Sequence, residues 1–234
     1  VISCLCPTYG RTALLEEAVQ SFLMQDYPCE TELVICNDLP SQTLVFDHPR
    51  VTVVNLPARC ANLGEKRNVT ASHAKGKWLM TWGDDDIHLP WRIGRLVKHM
   101  EAQNLDFCLE GSHFVLDHLG LHRKEYSTGG AHMVKRSLFE QLGGISPLSS
   151  GEDVEFNERV RAALGELPEC HEPPAFIYRW HSDRPHVSGL KGDHYKVFGE
   201  LIDSLIAAGK EPQGTIHLQP QWRQPWTKLA SSNL

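Results

Sequence analysis

The sequence predicts an α/β domain: a mixed, mostly parallel, Rossmann-like sheet flanked by helices. Three observations carry this. Through the first half of the chain, short apolar runs alternate with amphipathic stretches over brief connections, the pattern of βαβ units. Polar clusters close those runs: Pro7-Thr8-Tyr9, Asn37-Asp38 and Asp84-Asp85-Asp86. The length of 234 residues, 41% of them hydrophobic, suffices for one large core without a disulfide or metal staple.

Residues 1–6 read as the first strand, ended by Pro7. Leu14, Leu15, Ala18, Val19, Phe22 and Leu23 then share one helical stripe. Residues 31–36, 51–55 and 78–82 read as further strands, with a helix over about 65–74 before the last. Pro90 suits the first turn of a helix running to Gln103. The second half is more mixed, with strands over 106–116, 131–134 and 175–180 and helices over 137–142, 153–164 and 195–208. After Gly209 the sequence turns to Pro, Gln and Trp without periodicity, the mark of an arm or linker.

The 29 acidic and 23 basic residues give a net charge of −6, so a nucleic-acid partner is not expected. The seven cysteines contain no CxxC pair, which excludes a zinc ribbon or thioredoxin motif. Cys4 and Cys6 would be small buried side chains on one face of a strand, in a reducing compartment. No run of 18 apolar residues and no basic-then-apolar leader occurs. A cytoplasmic protein without a transmembrane segment is expected, with peripheral membrane association left open. The chain begins at Val1 inside a strand-like run, as an excised piece of a longer protein would.

In parallel sheets, ligands bind beyond the carboxyl ends of the strands, where all three polar clusters fall. Asp84, Asp85 and Asp86 would repel one another unless a cation offsets them. Carboxylates are hard ligands suited to Mg²⁺ or Mn²⁺; a solvated acidic turn is the alternative. Glu152 and Asp153 follow Gly151 in the first turn of a helix. Acidic residues suit the helix dipole there, and a general base is the functional alternative.

In order, this series of segments resembles the inverting family 2 glycosyltransferases of GT-A fold. The resemblance rests on Pro7-Thr8-Tyr9, the stretch 22–28 (FLMQDYP), 32–38 (ELVICND), Gly64-Glu65-Lys66-Arg67-Asn68, 74–78 (AKGKW), Asp84-Asp85-Asp86 with Pro90, Gly129-Gly130-Ala131, Leu142-Gly143-Gly144-Ile145, Gly151-Glu152-Asp153, and Tyr178-Arg179-Trp180-His181 with Ser188. It implies a GT-A domain over 1–208, with a nucleotide-binding half about 1–104 and an acceptor and catalytic half about 105–208, followed by the arm over 209–234.

The resemblance also implies roles. Pro7, Thr8, Tyr9 and Asp38 would hold the nucleotide base of a nucleoside-diphosphate sugar, a UDP-sugar first of all, and Arg67 its phosphates. Asp84 would lie near the ribose, while Asp85 and His181 would hold Mn²⁺ or Mg²⁺, with His186 a weaker candidate. Gly129 and Gly130 would admit the donor sugar. Asp153 would deprotonate the acceptor hydroxyl, with Asp86, Glu152 and Trp180 near the acceptor, which would be a saccharide, lipid-linked or other hydroxyl compound. Trp82 and Trp91 are further candidates for sugar stacking, or else core residues.

Departures from the family pattern are Gly10 for the usual Asn, which should matter little, Leu39-Pro40 for the usual Gly-Ser, and Gly83 for the first acid of the spaced Asp pair (DXD motif). The Gln-x-x-Arg-Trp motif of processive synthases is missing. Competing classes are a nucleotidyltransferase that makes nucleotide sugars, which would show a Gly-rich loop after the first strand, and a non-catalytic nucleotide- or carbohydrate-binding module.

Overall fold

The computed structural model describes residues 1–180 and 193–233. In chain order the elements are β1 (Ile2–Thr8), α1 (Thr12–Leu23), β2 (Thr31–Asn37), β3 (Gln42–Val45), β4 (Val51–Asn55), α2 (Leu63–Ser72), β5 (Trp78–Thr81), β6 (Ile87–His88), α3 (Arg92–Gln103) and β7 (Phe107–Glu110). There follow β8 (His113–Asp117), β9 (Gly120–Lys124), β10 (His132–Lys135), α4 (Arg136–Gln141), α5 (Glu152–Leu164), β11 (Glu169–Cys170), β12 (Phe176–Arg179), α6 (His194–Ala207), β13 (Gly214–His217) and α7 (Trp226–Ser231).

All seven residues of β2 are buried, as expected of a parallel strand covered on both faces. It belongs to a seven-stranded sheet ordered β11-β7-β10-β5-β1-β2-β4. Only β10 runs against its neighbours β5 and β7. Alternate residues of β1 point to opposite layers. Ile2, Cys4 and Cys6 join the core formed with α1 and α3, around Leu15, Phe22, Ile93 and Leu96. Leu5 meets the second core, formed by α2, α4 and α5 around Leu138, Phe156 and Val160. The two cysteines thus share a face, and burial raises the Cys4 thiol to about 12.

Register fixes the site. Thr8 pairs with Asn37, and Leu5 with Thr81, so the ends of β1, β2 and β5 emerge on one rim. α2 begins at Leu63, slightly earlier than its apolar pattern suggests, because Asn62 caps it by accepting a bond from Glu65 N at 2.8 Å. A four-stranded sheet, β6-β12-β8-β9, stands beside that rim. β7 and β8 together occupy the stretch expected as strand over 106–116, and β8 forms a hairpin with β9.

The stretch after Gly209 is an arm clasped to the body rather than a free linker. β13 pairs in parallel with β3, and Trp226 is buried with its Nε1 donating to Glu17 Oε1 at 3.0 Å. Trp222 Nε1 donates to Ser21 Oγ at 2.9 Å. Single aromatic anchors carry this packing, and they leave no periodicity in the sequence. Among the described residues, no helix is long and apolar enough to cross a membrane.

Trp226→Ala should therefore lower the unfolding free energy in urea by about 3–5 kcal/mol. A loss below about 1 kcal/mol would show that the arm contributes little to the fold.

Candidate active site

Between β1 and α1 stand Gly10 and Arg11, both in the left-handed region at φ 66 and φ 61, with Arg11 at the N-cap of α1. For a non-glycine residue this conformation costs about 1–3 kcal/mol. It turns the Arg11 side chain across the rim, where Nη1 donates to Asp85 Oδ2 at 2.6 Å and Nη2 to Asp84 Oδ1. Thr8 Oγ1 donates to the other Asp84 oxygen at 2.7 Å. Burial raises the Asp84 carboxyl, with Arg11 opposing the shift. Asp86 is pushed up to about 8 by burial and then by Asp85.

A second cation supports the triplet from the opposite side. Arg179, on β12, donates from Nε to the Asp85 carbonyl at 2.5 Å and from its backbone N to Asp86 Oδ1 at 3.3 Å. Its Nη1 binds Glu17 Oε2 on α1 at 2.5 Å. Burial pushes the Glu17 carboxyl up, but Arg179 and the donors of Arg223 and Trp226 outweigh it, and its pKa falls. Beneath the loop, Arg92 Nη1 donates to His88 Nδ1 at 2.6 Å, leaving His88 Nε2–H to donate to the Gly83 carbonyl at 3.1 Å. Burial, then Arg92, keeps that ring neutral.

Of the residues singled out in the sequence, Pro7, Arg67, Asp84, Asp85, Asp86, Gly130, Glu152 and Asp153 line one cavity of about 510 Å³. Gly151, at φ 71, caps α5 and aims its first turn into that cavity. Asp153 lies directly against the glycine pair: a Cβ on Gly130 would stand 3.0 Å from Asp153 Oδ2, and one on Gly129 3.6 Å. Asn157 Nδ2 holds the Gly129 carbonyl at 2.8 Å. Arg67 Nε lies 3.0 Å from Glu152 Oε1.

Thr8, Tyr9 and Asp38 sit behind this cavity, already engaged by protein. Asp38 is fully buried and accepts from Lys66 Nζ at 2.5 Å, Tyr195 Oη at 2.9 Å and Cys60 N at 3.0 Å. Arg59 lies between the rings of Tyr9 and Tyr195, 4.3 and 4.0 Å from their centroids. Tyr9 packs with Leu39, Phe198 and Ile202, so α6 covers this end of the rim. Gly10 matters more than its departure from the pattern suggested: a Cβ there would lie 2.7 Å from Ile202 Cγ2.

Trp82 is a core residue whose Nε1 donates to Ala18 O. Trp91 is half-buried, and its Nε1 donates to Pro174 O. Trp180 stands on a neighbouring cleft. His181, His186 and Ser188 lie outside the described residues. Arg11, Glu17 and Tyr195 carry no motif of their own, and Lys66 stands in the stretch 64–68 with no role assigned from the sequence. Arg11 was signalled only by being a base just after the strand beside the acidic one.

A sequence profile of glycosyl transferase family 2 matches residues 3–144, more than half of the chain. The chain belongs to that family. Over 210 residues it is 26% identical to an uncharacterized glycosyltransferase of Haemophilus influenzae, covering 80% of this chain and 71% of that one. Among solved structures it is similar to S. aureus TarS. Residues 1–349 of TarS in complex with UDP-GlcNAc give a TM-score of 0.65 at 18% identity, over 88% of this chain and 65% of that one. The same TarS fragment with UDP gives 0.61 at 15% identity, over 88% of this chain and 72% of that one. This chain spans less than two thirds of the first TarS structure, 60%, and 39% of the longer TarS chain. At these identities the likeness is one of fold, which is GT-A.

For a glycosyltransferase of this family, a divalent cation at the acidic triplet is a chemical expectation that the residues themselves can test. Asp84 has both oxygens occupied by Arg11 and Thr8. Asp85 Oδ2 is likewise engaged by Arg11 and Asp86 Oδ1 by Arg179 N, and both carboxylates lie close to Gly83, where a Cβ would meet Asp86 Oδ2 at 2.6 Å and Asp85 Oδ1 at 3.5 Å. Among the described residues no three His, Cys, Asp or Glu side chains are grouped for a metal. Two carboxylates suit a magnesium-type ion, which takes one or two of them together with substrate phosphates. In ligand chemistry, the carboxylates of Asp85 and Asp86 are of the kind such an ion takes.

Breaking a buried ion pair costs about 3–5 kcal/mol because the partner's charge is stranded. Arg11→Met should lose roughly that much in urea unfolding, whereas the double variant Arg11→Met/Asp84→Asn should recover more than about 1 kcal/mol of it. Strict additivity would show that the pair is not the neutralising contact.

Proposed function

We propose that this glycosyltransferase moves a sugar from a nucleoside-diphosphate sugar, a UDP-sugar first of all, to an acceptor hydroxyl with inversion. The observation that carries this reading is the cavity itself, whose lining includes Asp85, Asp86 and Asp153, the last pressed against Gly129 and Gly130. The TarS complexes with UDP and UDP-GlcNAc support the choice of donor by likeness of fold. The leaving group then lies beside the triplet, and the acceptor approaches from α5.

In one displacement the acceptor oxygen bonds to the anomeric carbon as the bond from that carbon to the phosphate oxygen breaks. The departing electron pair stays with the nucleoside diphosphate. The acceptor proton passes to Asp153, whose Oδ1 accepts from Val154 N at 2.8 Å, a bond that fixes the carboxylate's orientation. Glycine at 129 and 130 lets the donor sugar approach the backbone. Mn²⁺ or Mg²⁺, held by Asp85 and Asp86, would supply Lewis-acid stabilisation of the leaving diphosphate. Arg67 contributes a fixed positive charge at the cavity wall. His181, outside the described residues, stays a proposed contributor.

A uracil reaching Asp38 must take the place of the Tyr195 hydroxyl. Tyr195 is raised by burial and then by Asp38, so it stays a proton donor and competes for the same carboxylate.

Donor use is tested with a panel of UDP-, GDP-, dTDP- and CDP-sugars, following release of the nucleoside diphosphate. The product's anomeric configuration by proton NMR should be opposite to the donor's, and retention would overturn the mechanism. Asp153→Asn should lower kcat by roughly 10²–10⁴-fold, and retention of more than about a tenth of the wild-type rate would remove Asp153 from the role of base. Tyr195→Phe should tighten UDP binding by roughly 3- to 10-fold, the worth of one hydrogen bond. Weaker binding would make Tyr195 part of the nucleotide site instead of its competitor.

A further inference from the structure

A second cleft, of about 570 Å³, opens on the four-stranded sheet. Thr128 and Tyr178 border both it and the cavity that holds Asp153, so the two spaces meet along that edge. The cleft is furnished unlike the acidic cavity. A row of rings crosses it: His113 stands edge-on to Tyr126, with centroids 5.4 Å apart, and to Tyr178 at 6.2 Å, and Tyr178 lies 6.4 Å from Trp180.

The ends of this row face outward. Tyr126 is 57% exposed and Trp180 44%, although large aromatic surface is favoured inside a fold. Its middle is rigid. His113 is 1% exposed and stacks on Phe176 at 5.2 Å with an interplanar angle of 16°. Its Nδ1 has no hydrogen-bond partner. Burial lowers the ring to about 4, so His113 is a neutral part of the wall.

Around the rings stand polar groups: His118, His122, Ser127 and Thr128, which can donate and accept, and Asp117, which accepts. His122 Nε2 lies 3.7 Å from Asp117 Oδ2. The formal charges on the lining, Lys124 and Asp117, cancel. Flat aromatic faces with interleaved hydroxyl, carboxylate and imidazole groups match an uncharged sugar, which offers an apolar C–H face and a rim of hydroxyls. Among the described residues, a nucleotide, a phosphate or an acidic peptide would find no net positive charge on this lining.

We propose that this cleft is the acceptor subsite and that the acceptor is a neutral oligosaccharide of at least two units. Sugar units rest along the row between Trp180 and Tyr126, while the next crosses the Thr128–Tyr178 edge and presents its hydroxyl to Asp153. The proposal rests on reading the adjoining cavity as the donor site. The hydroxyl proton goes to Asp153, and the oxygen takes the sugar as described above. Trp180 and Tyr126 are specificity-determining residues, remote from the bond that forms.

The test uses neutral tetrasaccharides of glucose, galactose, mannose and N-acetylglucosamine, with the matching monosaccharides. Binding to the whole chain is measured by isothermal titration, and UDP with Mn²⁺ is titrated in parallel. At least one tetrasaccharide should bind, at least tenfold more tightly than its monosaccharide. Trp180→Ala and Tyr126→Ala should each weaken it fivefold or more, with UDP affinity held within twofold. If no tetrasaccharide binds protein that binds UDP, or if neither substitution weakens binding, the subsite is overturned. Failure of UDP itself to bind would count against the donor reading instead, which keeps the two failures apart.

Discussion

Three carboxylates at the end of β5 repel one another, and the rim holds its shape because cations reach them from two directions. Arg11 bridges Asp84 and Asp85 from the turn after β1, while Arg179 braces Asp85 and Asp86 from β12. Each arginine brings a structural consequence. Arg11 must adopt a left-handed backbone conformation to reach the triplet. Arg179 must in turn be held by Glu17, which also receives Trp226 and Arg223 of the C-terminal arm. Thus the central sheet, the smaller sheet and the arm all converge on one problem of charge. Asp86 has its carboxyl raised to about 8 by burial first and by Asp85 second.

The other end of the rim is closed by different physics. Lys66 neutralises Asp38, and Tyr195 completes its shell from α6. The aromatic cluster of Tyr9, Phe198 and Arg59 then makes α6 a cover over the place proposed for the base. A donor nucleotide therefore has to exchange contacts with α6, and the fit of Ile202 against Gly10 sets how closely that helix packs. The rim is polar and divided, with a buried end under α6 and an open end facing Asp153.

Much of this was legible in the sequence. Strand ends announced themselves because Pro7, Asn37-Asp38 and Asp84 follow unbroken apolar runs, and parallel register brings such ends together. Asp153 was legible because Gly151 and an acidic pair mark the start of α5. Arg11, Glu17 and Tyr195 were not, since each is defined by a partner far away in sequence: 73, 162 and 157 positions for their bonds to Asp84, Arg179 and Asp38. Local pattern carries no information about such pairs. Strand β9 and the docking of the arm escaped for another reason. β9 is only half-buried along its length, and the arm rests on the isolated aromatics Trp222 and Trp226, so neither a period of two nor one of 3.6 appears.

The central claim is that the acidic triplet, neutralised only in part by Arg11 and Arg179, takes up the donor's diphosphate through a divalent cation. Titration of UDP into wild-type protein and Asp85→Asn, each with Mn²⁺ and with EDTA, tests it most directly. The expected result is UDP binding by the wild type that weakens at least tenfold in EDTA, and by Asp85→Asn that is weak in both conditions while the protein stays folded. Equally tight binding of UDP in EDTA would contradict the claim and assign the charge compensation to Arg11 alone.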